Sequence, residues 1–236
     1  MATLCQSIQR LIIINTDTKA NHGIVKLIEV QNNLKYFEWK DKFDDDYFIG
    51  DPYKEIFLTL AEKADTLNHF IITFQDEVFY NHYDYSFLCL LLPKLSKLKT
   101  LKVSPSYLNG FDFEEQLKLL VYHDLEVFKM DYIKFNSVTC MIENSGGYLR
   151  EISTNYGCEY YNNYHDDSLT LISTICKKCP LVERLSLEFA LTKDHLIEFE
   201  KLLKSCQNLK VVLLNVIDYD NFTETWSFQA TSNRHL

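Results

Sequence analysis

Residues 169–187 read LTLISTICKKCPLVERLSL, and residues 196–214 read LIEFEKLLKSCQNLKVVLL. A shift of 27 positions brings seven apolar residues of the first stretch onto apolar residues of the second. The matched pairs are Leu169/Leu196, Ile172/Phe199, Cys176/Leu203, Cys179/Cys206, Val182/Leu209, Leu185/Val212 and Leu187/Leu214. Agreement in register at so many apolar positions predicts two tandem copies of one structural unit.

The end of this unit, an apolar-x-x-apolar-x-apolar phrase, returns along the whole chain. Its copies are Ile8–Ile13, Leu34–Trp39, Leu67–Ile72, Leu98–Val103, Leu125–Met130, Leu149–Thr154, Val182–Leu187 and Leu209–Leu214. Successive copies begin 24 to 33 residues apart. Leucine-rich repeats typically span about 20–29 residues, so the spacing indicates repeats at the long, irregular end of that class.

Each unit is predicted to contain a helix, a break and a short strand. Apolar residues at helical spacing come first, Pro180 or Gly146-Gly147 marks the break, and period-two alternation follows. The candidate helices span 22–32, 53–65, 86–95, 112–121, 136–145, 168–179 and 194–206. We therefore predict an α/β leucine-rich-repeat solenoid, or horseshoe, of about 7–8 irregular repeats. Its parallel sheet forms the concave face and its helices form the convex face.

Length and composition agree with one elongated domain. The chain has 236 residues, of which 47% are hydrophobic, and stacking of the repeats would make a continuous core. We assign residues 1–218 to the leucine-rich-repeat domain. The tail 219–236 loses the pattern and is predicted to be either a ragged cap or a disordered segment.

The charge balance argues against two classes of partner. A net charge of -9 disfavours nonspecific binding to nucleic acid or to an anionic membrane. The longest apolar runs, such as Leu88 to Pro93, are too short to cross a bilayer, and no signal peptide is visible. We therefore expect a cytoplasmic or nuclear protein, with its seven cysteines reduced.

The segment 165–217 resembles the cysteine-containing leucine-rich repeat of F-box proteins. The resemblance lies in Leu169-x-x-Ile172-x-x-x-Cys176-x-x-Cys179-Pro180 followed by the strand phrase, and Cys206-Gln-Asn-Leu209 repeats it without the proline. Over 20–164 the strand phrases match but the cysteine position does not. The chain is thus similar to the ribonuclease-inhibitor-like superfamily, and within it to fungal F-box/leucine-rich-repeat proteins.

The resemblance implies substrate recognition for a cullin-type ubiquitin ligase. In that family an F-box precedes the repeats and binds the ligase adaptor, and we see no Leu-Pro-x-Glu opening of an F-box in this sequence. We therefore expect binding to the ligase adaptor only if an F-box lies upstream of the repeats. The alternative is a ligase-independent interaction or scaffold protein.

The expected binding surface is the concave face of the sheet, where a protein or peptide ligand would lie. Strand residues between the inward-pointing apolar positions form three outward columns. The candidate site comprises Tyr36, Glu38, His69, Ile71, Thr100, Lys102, Val127, Lys129, Asp131, Glu151, Ser153, Arg184, Ser186, Glu188, Val211 and Leu213.

Two lysines and two apolar ends stand out within these columns. Lys102 and Lys129 occupy neighbouring middle repeats, which suggests a ligand with an acidic element, although both side chains could equally be solvated surface. Apolar residues mark the two ends of the columns, and terminal caps could also cover them. These are Ile12, Ile14, Val211 and Leu213.

We expect no enzyme activity, cofactor or metal. Cys176-Lys-Lys-Cys179 supplies only half of a zinc site, and the 27-residue register predicts that both cysteines pack in the core. The acidic stretch 41–51 lacks the glycine and glutamate of a calcium-binding loop, so we interpret it as a solvated loop. His165-Asp166-Asp167 fits a helix start better than a metal site. Phosphate-binding and nucleophile-elbow motifs are absent from the sequence.

Overall fold

A computed structural model of the protein describes residues 5–17, 19, 21–42, 53–74, 86–104, 111–155, 164–217 and 225–231. For 111–113 and 225–231 it describes the backbone only. The chain divides into two compact units, Met1–Gln116 (unit 1) and Leu117–Leu236 (unit 2). Each unit is described by itself.

Unit 1 alternates strands and helices. Its elements are β1 (Arg10–Asn15), α1 (His22–Glu29), β2 (Tyr36–Asp41), α2 (Lys54–Ala61), β3 (His69–Thr73), α3 (Ser86–Leu91), a 3-10 turn (Leu92–Lys94), β4 (Thr100–Ser104) and α4 (Phe111–Leu117), within which the boundary falls. Strands β1 to β4 pair in chain order, and all three pairings are parallel.

Unit 2 repeats this order and adds a closing strand. Its elements are β5 (Val127–Asp131), α5 (Phe135–Glu143), β6 (Glu151–Asn155), α6 (Tyr164–Lys178), β7 (Arg184–Ala190), α7 (Lys193–Ser205), β8 (Val211–Ile217) and β9 (Thr225–Thr231). Strands β5 to β8 are parallel, whereas β9 runs antiparallel to β8. The α/β order and the parallel strands are as predicted. Strand β9 lies in the segment where the repeat pattern is lost, and the sequence analysis did not anticipate it.

The strand register follows the repeated phrase. In unit 1, Phe37 lies opposite Phe70, and Phe70 lies opposite Leu101. In unit 2, Ile152 lies opposite Leu185. Parallel strands in the same phase place like positions of each phrase side by side, so every sheet has one apolar face toward the helices.

Aromatic rings fill the core of unit 1. Phe57 of α2 is fully buried, and its ring centroid lies 6.0 Å from those of Phe37 and Trp39 and 6.1 Å from that of Phe70. Phe87 of α3 stacks on Phe57 at 4.7 Å. Phe57 therefore joins two strands and two helices in one cluster.

The buried face of α7 differs from the predicted face. Leu196 and Leu203 were matched to core positions, but they are 53% and 49% exposed. His195 and Leu202, each one residue earlier, are fully buried. One residue turns a helix by about 100°, so the side chains facing the sheet are those immediately preceding the predicted ones. The 27-residue shift still holds, because it carries three buried residues, Ser168 and Ile175 of α6 and Cys179 directly after it, onto the buried residues His195, Leu202 and Cys206.

Gly146, in the turn between α5 and β6, lies against the backbone of a preceding turn. A Cβ atom at this position would come within 2.0 Å of the His123 carbonyl oxygen. We expect Gly146→Ala to lower the free energy of unfolding by about 2 kcal/mol, because the obstacle is backbone and must shift. Urea denaturation measures the loss. Gly23→Ala is the control, since its Cβ meets only the Asn21 side chain at 3.0 Å; equal effects would contradict the prediction.

Thr154 of β6 presents a buried hydroxyl to the core. The residue is 1% exposed, and within the described part of the chain its Oγ1 has no hydrogen-bond partner. Replacing this hydroxyl by a methyl group in Thr154→Val is expected to raise the free energy of unfolding by about 1 kcal/mol. Thr139→Val is the matched control in the same urea titrations, because Thr139 Oγ1 donates to the Phe135 carbonyl at 2.8 Å. A loss of stability in Thr154→Val would contradict this account.

No helix in the described ranges combines the length and the apolar character needed to cross a membrane.

Candidate functional site

The candidate site is the sheet face opposite the helices, termed the outer face. The register places the predicted columns side by side within each unit. In unit 1 the outer-face residues are Arg10, Ile12 and Ile14 on β1, Tyr36, Glu38 and Lys40 on β2, His69, Ile71 and Thr73 on β3, and Thr100, Lys102 and Ser104 on β4. In unit 2 they are Val127, Lys129 and Asp131 on β5, Glu151, Ser153 and Asn155 on β6, Arg184, Ser186 and Glu188 on β7, and Val211, Leu213 and Asn215 on β8.

A continuous row of polar and aromatic contacts crosses unit 1. The Arg10 guanidinium carbon lies 4.3 Å from the centre of the Tyr36 ring. The Tyr36 and His69 rings lie 5.6 Å apart, and His69 Nδ1 is 2.9 Å from Thr100 Oγ1. The first predicted column is therefore held in place by side-chain contacts from β1 to β4.

Glu38 is the buried carboxylate of this face. It is 7% exposed, accepts a hydrogen bond from the Tyr36 hydroxyl at 2.6 Å, and pairs with Lys40 Nζ at 2.7 Å. Burial alone raises the pKa of a carboxyl group, but hydrogen bonds from Lys40 and Tyr36 outweigh burial and hold the pKa of Glu38 below its usual value. Burial and the bond to Glu38 raise the pKa of Tyr36. Glu38 thus organises its neighbours and contributes little exposed negative charge.

The outer face of unit 2 combines ion pairs with small polar residues. Arg184 lies 3.6 Å from Glu151, and Lys129 lies 3.7 Å from Asp131. Ser153 and Ser186 are opposite each other in register at its centre, and both are half-buried. These serines leave room for a ligand side chain or backbone.

Several predicted site residues are less accessible than the prediction assumed. Asp131, Glu188 and Thr100 are 9%, 6% and 9% exposed. These three residues therefore offer little surface to a ligand.

The two lysines and the apolar residues at the ends of the columns differ in their exposure to solvent. Lys102 lies on the outer face of unit 1 and Lys129 on that of unit 2, and both are half-buried. Ile12 and Ile14 are 45% and 61% exposed, so that apolar end is open to solvent. Val211 and Leu213 are half-buried on β8.

A buried histidine in unit 2 escaped the sequence analysis. His195 Nε2 lies 2.7 Å from Ser168 Oγ, and His195 Nδ1 lies 2.8 Å from Thr192 Oγ1. Since Ser168 Oγ donates to the His165 carbonyl, it accepts from Nε2–H, which leaves Nδ1 to accept from Thr192. Both Ser168 and His195 are inaccessible, at 2% and 0% exposure, so this pair resembles a nucleophile and base in distance only. The sequence did contain a signal for this pair, because the 27-residue shift aligns Ser168 with His195.

The cysteines are placed as core residues. Cys179 and Cys206 are 0% and 2% exposed, as the packing interpretation predicts, whereas Cys176 is half-buried. Burial raises the pKa of Cys179 to about 12 and that of Cys206 to about 11, which disfavours the thiolate needed for zinc binding. Within the residues that the structure describes, no cluster of three or more His, Cys, Asp or Glu could hold a metal ion.

Of the two acidic segments in the sequence analysis, the structure describes residues 165–167 in full and 41–51 only in part. His165, Asp166 and Asp167 lie in the first turn of α6, which begins at Tyr164, so the helix-start interpretation is confirmed one turn earlier than predicted. Most of the predicted acidic loop at 41–51 lies outside the described residues; Asp41 itself closes β2 and accepts hydrogen bonds from Trp39 Nε1 and the Tyr53 hydroxyl.

A shallow depression of about 560 Å³ lies on the helix side of unit 2. Its lining includes Thr170, Ser173 and Lys177 of α6, Glu143 of α5, and Asp194 and Glu198 of α7. Glu198 already pairs with Lys201, and Lys177 offsets part of the remaining negative charge. The mixed lining indicates no particular ligand.

No protein-family profile matches this chain, and no curated protein sequence matches it significantly.

Proposed function

We propose that the chain is a leucine-rich-repeat solenoid and a protein-recognition module, with a protein or peptide ligand on the outer face of its sheet. The observation that carries the proposal is the side-by-side alignment of the predicted outward columns within each unit. Repeats that stack in this way present extended surfaces suited to macromolecular ligands. In a horseshoe this face is the concave one.

The proposal assigns no catalytic activity, cofactor or metal to the chain. Hydroxyl–imidazole pairs at hydrogen-bonding distance in the described ranges include His69 with Thr100, at 2.9 Å, where Thr100 is only 9% exposed. The shortest of them, Ser168 with His195 at 2.7 Å, is buried in the core of unit 2. Substrate cannot reach such a pair without unfolding α6 or α7.

The more specific proposal is substrate recognition within an F-box-type, cullin-based ubiquitin ligase. Its support is the resemblance of 165–217 to the cysteine-containing repeat. The alternative is a ligase-independent interaction or scaffold protein. Both are intracellular interaction roles, cytoplasmic or nuclear, and neither involves nucleic acid or membrane.

Affinity capture of the tagged chain from its native extract, read by mass spectrometry, separates these roles. Recovery of the cullin and its adaptor supports the ligase role, and a further specific protein is then the candidate substrate. A specific partner without the ligase core supports the scaffold role. Recovery of chaperones alone contradicts both.

An acidic element in the ligand is tested at Lys102 and Lys129, each in its own unit. We expect Lys102→Glu and Lys129→Glu, singly and combined, to weaken binding of an identified partner by about tenfold or more per site, because like charges replace opposite ones. Lys97→Glu with Lys178→Glu is the matched control, since both lysines are exposed and neither lies on an outer face. If Lys102→Glu and Lys129→Glu leave binding unchanged, the two lysines are solvated surface and do not contact the ligand.

A further inference from the structure

The outer face of unit 1 carries charge opposite to that of the chain as a whole. The protein has a net charge of -9. Among the twelve outer-face residues of unit 1, Arg10, Lys40 and Lys102 are cations and Glu38 is the single carboxylate. A positive surface on an acidic protein attracts acidic partners and disfavours contact with other acidic proteins.

The Glu38 carboxylate, the one acidic group among these twelve residues, pairs with a lysine of the same face. The Glu38 side chain is 9% exposed and pairs with Lys40 at 2.7 Å, while the Tyr36 hydroxyl donates to its second oxygen at 2.6 Å. A ligand therefore meets cationic and aromatic groups, because the carboxylate lies beneath them.

Arg10 is held in a conformation suited to a carboxylate. Its guanidinium carbon lies 4.3 Å from the centre of the Tyr36 ring, and the residue is exposed. A guanidinium carries five N–H donors, so the contact with Tyr36 leaves donors for a ligand. Such a group binds a carboxylate through two parallel hydrogen bonds, and the contact with Tyr36 reduces the entropy lost on binding.

The geometry gives the spacing of the acidic groups. Arg10 is on β1 and Lys102 is on β4, one outward position further along the strand direction. Three strand spacings and one two-residue step separate them by about 16 Å. An extended peptide advances about 3.4 Å per residue and its side chains alternate between two faces, so acidic side chains four residues apart share a face and would reach both cations.

The centre of the surface is partly apolar. Ile71 lies half-buried between the two cationic positions, on the same strand as His69 and opposite Glu38 of β2. A ligand residue located between the two acidic side chains would contact this area, so an apolar or aromatic residue fits best there.

We infer that the outer face of unit 1 binds an extended, acidic peptide segment of a partner protein, with two carboxylate side chains four residues apart that contact Arg10 and Lys102. This inference rests on the proposed recognition function and specifies the chemistry of its ligand.

The test is selection of random twelve-residue peptides on the immobilised full-length chain, with sequencing of the naive and selected pools. We expect pairs of Asp or Glu at a separation of four residues to be enriched about fivefold or more, and less so at high salt. Arg10→Gln with Lys102→Gln should remove this enrichment. Lys94→Gln with Lys97→Gln, an equal charge change at exposed positions outside the strands, should keep it.

Each other outcome overturns the inference. The inference is wrong if the selected pools show no enrichment of Asp and Glu. It is also wrong if this enrichment persists when peptides are selected on the variant with Arg10→Gln and Lys102→Gln. Competition by single-stranded DNA at the same concentration as a selected peptide would indicate a general polyanion surface instead. Selection of non-acidic peptides that is lost in Ile71→Arg would contradict an acidic ligand. It would still support peptide recognition by this face. Thermal unfolding of each variant verifies its fold.

Discussion

We expect Phe57→Ala to lower the free energy of unfolding of unit 1 by about 4 kcal/mol. Phe57 is fully buried and contacts Phe37, Trp39 and Phe70 on two strands and Phe87 on the next helix. Truncation removes the ring from every one of these contacts and leaves a cavity that a rigid strand pair cannot close. Of the substitutions considered, this one has the largest predicted effect.

Trp39 provides the measurement, because its ring lies 6.0 Å from that of Phe57. The sequence has one other tryptophan, Trp226, so a Trp226→Phe background makes the fluorescence specific for unit 1. Leu58→Ala is the control, since Leu58 is 38% exposed on the same helix and should cost below about 1 kcal/mol. Similar losses for the two substitutions would mean that α2 does not pack on the strands in this orientation.

The second large effect is a loss of stability of unit 2 as pH falls. Burial, together with the neighbouring His165, lowers the pKa of His195 from 6.5 to about 4, although Asp194 acts in the opposite direction. Between these values the unfolded chain binds a proton that the folded chain does not, so stability rises with pH. The full contribution is present above pH 6.5 and is lost toward pH 4. It amounts to about 3 kcal/mol.

Urea denaturation between pH 4 and pH 7 tests this effect by comparison with His195→Gln. The variant is less stable at neutral pH, because it disturbs the bonds to Ser168 and Thr192, but it should lose less stability on acidification. His123→Gln, at an exposed position of the same unit, should retain the wild-type dependence. Parallel curves for wild type and His195→Gln would refute the assignment.

Much of the strand framework could be predicted from the sequence. The phrase places apolar residues two apart, and parallel strands in the same phase bring like positions together, so the columns from Arg10 to Thr100 and from Val127 to Val211 follow directly. The break at Gly146 could also be predicted, but its cause is the close approach of the His123 carbonyl, which only the structure shows.

Other features depend on tertiary context. Leu196 and His195 are adjacent, and apolar spacing alone favours the leucine for the core. In the structure His195 is the buried residue, because its ring donates to Ser168 Oγ and accepts from Thr192 Oγ1. Strand β9 has a period-two alternation of Trp226, Phe228 and Ala230 that could have indicated it, but it does not fit the repeat period. Tyr36, Glu38 and Lys40 all lie on β2, but period-two alternation shows only that they share a face and does not show that their contacts bury Glu38.

The central claim is that partners bind the outer face of the sheet, and a pair of small residues in unit 2 allows the most direct test. Ser153→Arg with Ser186→Arg adds bulk at two facing, half-buried positions of the outer face. Ser205→Arg with Gln207→Arg adds the same groups at exposed positions near the end of α7. Quantitative capture from native extract compares both variants with the wild type. We predict that specific partners fall by about tenfold or more on the first variant and are retained on the second. Equal recovery of those partners by both variants would contradict recognition through the outer face.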